Sequence, residues 1–206
     1  MTTTMETLAI RTENKFRTLI TKQAYKKGDV ICAMPSENIM DKPNRFTVQI
    51  GRNVHTHVGK LAALNHSCDP NVVLDTENML MIARRDIEKG EELSFFYPAT
   101  EWEMQAPFIC LCGSANCIHV VAGARFLPLS TLETHYLNKH IREMMIELLN
   151  NTQLHLKNLQ KSKNKISEFP KNSEILFFTV FDGTPAGYTP PPTVCPGGDY
   201  LKRSHC

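Results

Sequence analysis

Three cysteines fall within eight residues, as Cys110-Leu111-Cys112-Gly113-Ser114-Ala115-Asn116-Cys117. Thiols this close reach a single ion only if the chain curls around it, and the small, turn-forming residues from Gly113 to Asn116 supply that curl. Zinc takes four soft ligands in a tetrahedron, so the cluster is one ligand short. Cys68 and His119 are the candidates for the fourth place. The plainer alternative is three reduced thiols in a loop. Cys68 has the better claim because it sits in a second unusual run, Asn65-His66-Ser67-Cys68-Asp69-Pro70-Asn71, a turn punctuated by Asp-Pro-Asn. A third run, Gly90-Glu91-Glu92-Leu93-Ser94-Phe95-Phe96-Tyr97, leads from a turn into an aromatic strand. The chain holds seven cysteines, an odd number that speaks against a disulfide framework.

Each run alone is ordinary. Together, in this order and at these separations, they resemble the SET-domain protein lysine methyltransferases with a post-SET zinc loop. Residues 65–71 agree with that family's NHSCxPN at every fixed place, and Phe108-x-Cys110-x-Cys112-Gly113-x3-Cys117 is equally characteristic. The resemblance covers roughly residues 8–128, and Gly123-Ala124-Arg125-Phe126-Leu127-Pro128-Leu129 looks like the continuation found in its small members.

What the resemblance implies is specific. The fold would be short β-sheets around a knot-like crossing, a rare exception to unthreaded topology. Cys68 would join Cys110, Cys112 and Cys117 around a zinc ion that is structural, because four thiolates leave no open position. Tyr97 would be the catalytic tyrosine and would also face the S-adenosylmethionine. Asn65 and His66 would hold that cofactor and Leu111 would pack on its adenine; Arg17, which no family motif supplies, is this chain's own candidate to pair with its carboxylate in place of the missing glycines. Phe95 and Phe96 would line the lysine channel. Phenylalanine at 95 implies di- or trimethylation, since a tyrosine there restricts the reaction to one methyl.

The chain also departs from the pattern. Counting back from Lys27-Gly28-Asp29, the family's Gly-x-Gly falls on Phe16-Arg17-Thr18, where neither glycine is present. Phe96 stands where aspartate is common. Two other readings therefore stand beside an active protein-lysine methyltransferase. One is an inactive, zinc-stabilised SET-fold binding module; the other is a methyltransferase acting on a non-lysine or small-molecule acceptor.

The elements that position these residues read as many short strands, giving a mainly β protein with some α (α+β). Lys26-Lys27-Gly28-Asp29 marks a turn between strands, and Val72-Val73-Leu74 pairs with Met79 to Ala83 across Asp75 to Asn78. Val54-His55-Thr56-His57-Val58 alternates; its two histidines share one face, which reads as a solvated strand face more readily than as metal ligands. Ser130-Thr131-Leu132-Glu133 is a capping box, and Leu132, Tyr136, Leu137, Ile141, Met144, Met145 and Leu148 recur behind it at helical spacing. The predicted helix runs from Ser130 to about Gln153. It is expected to wall part of the peptide groove, because residues 34–64 are short for that purpose. Residues 157–165 carry four lysines and no acid, consistent with a solvated helix end. Residues 174–181 read as a buried strand, and the Pro/Gly-rich residues from 182 as extended or disordered. The expected organisation is a SET domain at 1–107, a zinc loop at 108–128, a helix and strand extension at 129–181 and a tail at 182–206.

Composition sets the outer bounds. With 206 residues, 42% hydrophobic and 21% charged, the chain can bury a core. A formal charge of +2 argues against a general binder of nucleic-acid backbones and allows a protein or peptide partner, with histones as the resemblance's default. No apolar run approaches a membrane span. The N-terminal residues have neither the basic start nor the apolar stretch of a signal peptide, so the expectation is an intracellular protein, cytoplasmic or nuclear. Oligomeric state is left open.

Overall fold

Residues 5–167 are described in the computed structural model, with side chains to residue 160. The expected strand at 174–181 and the tail from 182 lie outside them. A hairpin opens the fold: β1 (Leu8–Glu13) and β2 (Phe16–Thr21) pair antiparallel with Glu13 opposite Phe16. Its turn residues, Asn14 and Lys15, both take positive φ (49° and 70°), the twist that suits a two-residue hairpin. Then follow β3 (Val30–Ala33), β4 (Ile39–Met40), β5 (Thr47–Gly51), β6 (Val54–His57), β7 (Asn65–His66), β8 (Val72–Asp75), β9 (Leu80–Ala83) and β10 (Glu92–Phe95). Two short strands, β11 (Phe108–Ile109) and β12 (Val120–Val121), bracket the cysteine loop.

These strands form four small sheets, ordered β1-β2-β10-β7, β3-β9-β8, β4-β6-β5 and β11-β12. β10 is antiparallel to β2 but parallel to β7. Parallel neighbours require a long connection. Here that connection is the β8–β9 hairpin with its flanking turns. Leu19, Leu93, Leu8, Ile31, Leu74 and Met81 are buried at the centre, and the alternation of β10 sends Leu93 and Phe95 inward. A second apolar cluster gathers Phe96, Ala99, Ala124, Leu132, Ile141 and Met145. Behind it the chain passes close to its own backbone at Gly123, whose φ is +113°. A Cβ there would come within 2.5 Å of the Trp102 carbonyl oxygen.

The expected helix from Ser130 is interrupted. A single turn, α1 (Leu129–Leu132), is followed by a non-helical stretch, and the long helix α2 starts only at Lys139 and runs to Ser167. Asn138 explains the break. Its fully buried side chain accepts from the Thr76 backbone N–H (2.8 Å) and hydroxyl (3.0 Å) and donates to the Leu74 and Ala99 carbonyls (2.9 Å each). One side chain therefore joins the β8–β9 turn, the segment after Tyr97 and the start of α2. The apolar stripe survives the correction, with Ile141, Met144 and Met145 buried, whereas residues 150–160 are exposed. Asn138→Ala strands several buried backbone groups, so denaturant unfolding should show a loss of about 2–4 kcal/mol. A loss below about 0.5 kcal/mol would mean that water replaces these bonds freely.

The strand-face expectation for the histidines also needs correcting. His55 is buried, with an Nδ1 that has no hydrogen-bond partner among the described residues. Burial, and then His140 of α2, hold its pKa below the ordinary histidine value. His57 is half-buried and accepts from the Gly59 N–H. The cause is position: β6 is the middle strand of its sheet.

Candidate active site

β7 and β10 are the frame. Their parallel register sets Asn65 beside Ser94 and His66 beside Phe95. Beyond β10 the chain turns and Tyr97 comes back against β7. Its hydroxyl donates to the Leu64 carbonyl at 2.8 Å, and its backbone N–H donates to His66 Nδ1 at 3.2 Å. Because Nδ1 accepts there, the ring proton sits on Nε2, which faces Cys68 Sγ at 3.3 Å. His66 thus ties the Tyr97 backbone to a thiol. Burial, and then His135, push His66 down to about 4, so its ring is neutral near pH 7. Burial, and then the Glu101 carboxylate, push the Tyr97 phenol up to about 12. The rings of Phe95, His66 and Phe108 lie 4.7, 5.3 and 6.0 Å from that of Tyr97.

The four predicted thiols come together. Sγ atoms of Cys68, Cys110, Cys112 and Cys117 all lie within 4.8 Å of one another, and His119 is not part of the group. A tetrahedron with zinc–sulfur bonds of ~2.3 Å has sulfur–sulfur edges of about 3.8 Å. The Cys68–Cys110 separation is 3.9 Å, so the donor set fits zinc. Backbone N–H groups of Ile118 and His119 point at Cys68 Sγ and Cys117 Sγ, both at 3.4 Å, as thiolates favour. The β11–β12 pair closes the base of the loop, with Phe108 opposite Val121. Burial, and then the neighbouring thiols, push the Cys110 thiol up to about 11 in the absence of metal; coordination would reverse that and hold it as thiolate. Cys32 lies apart, fully buried in the main core. Cys195 and Cys206 lie outside the described residues.

A cavity of about 400 Å³ opens beside Tyr97. Phe46, Leu64, Phe95, Tyr97, Glu101 and Phe108 are among its lining residues. Its walls come from residues 43–64 and 95–108, and none of the residues that line it belongs to the segment after Ser130. Phe96, expected beside Phe95 in a channel, does not line this space. It faces the other way and stacks on His135, with ring centres 3.7 Å apart and planes 13° apart. His135 in turn donates from Nε2 to the Cys68 carbonyl at 3.0 Å.

The remaining predicted residues, Asn65, Arg17 and Leu111, do not line this cavity. Asn65 Nδ2 donates to Glu92 Oε1 at 2.8 Å and to the Arg17 carbonyl at 3.4 Å, joining β7, β10 and β2. Next to Arg17, the Thr18 hydroxyl is buried with no hydrogen-bond partner among the described residues. Leu111 is 91% exposed between two thiols of the cluster. Sequence reasoning missed Glu101, His135 and Asn138. None belongs to a motif, and the only signal available was the proximity of Glu101 to Tyr97 along the chain.

Residues 17–98, from β2 to the turn at Tyr97, match the protein-family model described as SET domain. The chain carries a SET domain. Methyltransferase flvH of Aspergillus flavus is 37% identical to it over 107 residues, covering 50% of this chain and 60% of that protein. A histone-lysine N-methyltransferase, H3 lysine-36 specific, of Mycosarcoma maydis is 34% identical over 86 residues, covering 39% of this chain and 9% of that protein. The H3 lysine-4 specific enzyme of Emericella nidulans is 41% identical over 61 residues, 26% of this chain and 5% of that one. This chain therefore spans less than two thirds of the length of each. Among solved structures, KRYPTONITE in complex with mCHG DNA and SAH overlays with a TM-score of 0.46 at 18% identity, over 55% of this chain and 28% of that one. The methyltransferase domain of human SETMAR gives 0.42 at 18% identity, over 54% and 56%. Among the described residues of the SET domain and its extensions, no helix is long and apolar enough to cross a membrane.

Proposed function

We propose that this SET domain transfers methyl groups from S-adenosylmethionine to the side-chain amine of a lysine in a protein or peptide, with histone tails as the first substrates to try. The observation that carries the reading is the cavity beside Tyr97, walled by aromatic rings and lying next to the fixed tyrosine hydroxyl. The curated relatives support it, since two carry histone-lysine methyltransferase names.

S-adenosylmethionine, when bound, supplies an electrophilic methyl on a sulfonium. Asn65, His66, Arg17 and Leu111 are the residues that would hold it. The uncovered Leu111 side chain fits such a ligand, which would cover it. Tyr97 orients the acceptor amine through its oxygen lone pair, because its proton is already given to Leu64. Phe46, Phe95 and Phe108 exclude water and disfavour a charged amine, which helps the nitrogen reach its nucleophilic neutral form. Aligning nitrogen, methyl and sulfur is then chiefly a matter of position.

The direct test is methyl-label transfer from S-adenosylmethionine to histones, peptide arrays and cell extracts, with calorimetry of cofactor binding beside it. Label in a lysine is expected. No binding to the zinc-loaded protein and no label anywhere would end this reading in favour of a binding module. Phe95 sets a second expectation. Its ring lines the cavity beside Tyr97 and brings no hydroxyl, so mass spectrometry of the product should show two or three methyls. Phe95→Tyr, which adds a polar group there, should shift the product towards one methyl. An unchanged product distribution would remove Phe95 from that role.

A further inference from the structure

Glu101 is a buried carboxylate that none of the motifs accounts for. It follows Tyr97 by one turn, its backbone N–H donating to the Tyr97 carbonyl at 2.9 Å. It is 9% exposed and lines the cavity. Both side-chain hydrogen bonds it accepts fall on one oxygen: Oε1 takes the Gln49 backbone N–H at 2.9 Å and the Thr100 hydroxyl at 3.2 Å. Oε2 accepts none from the described residues. No lysine or arginine pairs with this carboxylate among them, and an unpaired carboxylate is costly to bury. The cavity offers aromatic faces as well, from Phe46, Phe95, Tyr97 and Phe108. A carboxylate oxygen within an aromatic-walled space is the chemistry that receives an organic ammonium.

We infer that Glu101 binds the acceptor amine as its ammonium ion through Oε2 and then takes the proton that the amine must lose before methylation. The balance is simple. R–NH3+ and the Glu101 carboxylate become R–NH2 and the carboxylic acid, one N–H bond breaking as one O–H bond forms. The nitrogen lone pair is then free for the methyl, and the Glu101 proton leaves to water through the cavity mouth before the next turnover. The identity of the amine rests on the methyl-transfer reading; the binding claim does not.

Burial pushes the Glu101 carboxyl up to about 7, against the pull of the Gln49 and Thr100 donors. The other titratable and charged groups on the elements around it are few. Tyr97 stays protonated, His140 of α2 bonds the Thr100 carbonyl at 2.8 Å, His55 lies on β6, and exposed Arg45 lies on the cavity rim. Burial holds both histidines below the ordinary value. Glu101 is the group here that burial moves up into the range between pH 6 and 8. An alkylammonium binds its ionised form, so affinity rises with pH.

The test uses n-butylamine as probe and NMR titration of the full chain with zinc. Wild-type protein should bind it about tenfold more tightly at pH 8 than at pH 6, following the ionised fraction of a group with pKa about 7. Glu101→Gln, which keeps an acceptor for Gln49 and so the fold, should weaken binding at pH 8 at least about tenfold and abolish the pH dependence. Glu101→Asp should retain it. Equal affinities in wild type and Glu101→Gln, or no binding at all, would overturn the inference and leave Glu101 as an acceptor for β5. If butylammonium binds through Glu101 but no label moves in the transfer assay, the enzyme reading fails, the proton-transfer role falls with it, and the binding claim stands. The reverse pattern separates them the other way.

Discussion

Tyr97→Phe should lower the methyl-transfer rate about a hundredfold while leaving the protein folded. The magnitude comes from position. A reacting group misplaced by about 1 Å can cost that much, and in the proposed reaction the hydroxyl is what fixes the acceptor nitrogen relative to the methyl. The phenol cannot act as the base. Burial and the nearby Glu101 push it up to about 12, so it keeps its proton throughout the working range and spends it on Leu64. Loss of the hydroxyl should therefore reduce kcat with little change in KM and leave the shape of the pH–rate profile as it was. The folding cost is small by comparison: one buried carbonyl loses its donor, about 1 kcal/mol. The ring keeps its contacts with Phe95, His66 and Phe108, and the backbone bond to His66 is untouched. Initial rates from pH 6 to 9, with a melting curve for each protein, check this. A fully active phenylalanine variant would remove Tyr97 from the reaction.

The parts that were legible in the sequence share a physical reason. Thiols at short spacing, an Asn-His-Ser-Cys turn and an aromatic strand end carry their chemistry in residue type and local order, and the structure brings these runs together. What was not legible depends on contacts across the chain. Asn138 looks like one more polar position in a helical stripe, yet its partner Thr76 is 62 residues away. The capping box at Ser130 is a local preference, and the four bonds of Asn138 outweigh it. Phe96 is a different case, because the information was present. Successive residues of a strand point to opposite faces. If Phe95 and Tyr97 share the cavity, Phe96 must face away, and it does, onto His135. His55 was misplaced for want of sheet order: nothing local says that β6 has a neighbour on either side.

The cysteine cluster does not line the cavity, but Tyr97 and Met104, which do, pack against it, so its removal should be felt there. Chelation of the metal, or Cys68→Ser, should take metal content from about one zinc per chain to none and loosen the loop between β11 and β12. Structural zinc sites hold ~10–16 kcal/mol of binding energy in isolated peptides, and much of that becomes folding energy. Here the share should be concentrated in residues 108–121, where each end of the loop is held only by a two-residue strand. The consequence for Tyr97 runs through His66. The imidazole accepts the Tyr97 N–H at Nδ1 and directs Nε2–H to Cys68 Sγ, so the sulfur sets the ring and the ring sets the backbone of Tyr97. A thiolate fixed by a metal holds that proton more strongly than a free thiol. His135 adds a second link, from the Cys68 carbonyl to the face of Phe96. Hydrogen exchange should therefore quicken at the Tyr97 amide as well as in the loop when the metal is withdrawn, and methyl transfer should fall with it. Zinc added back to the chelated wild type should restore both; added to Cys68→Ser it should restore neither. Metal-free wild-type protein, or a Tyr97 amide indifferent to chelation, would break the proposed connection between cluster and tyrosine.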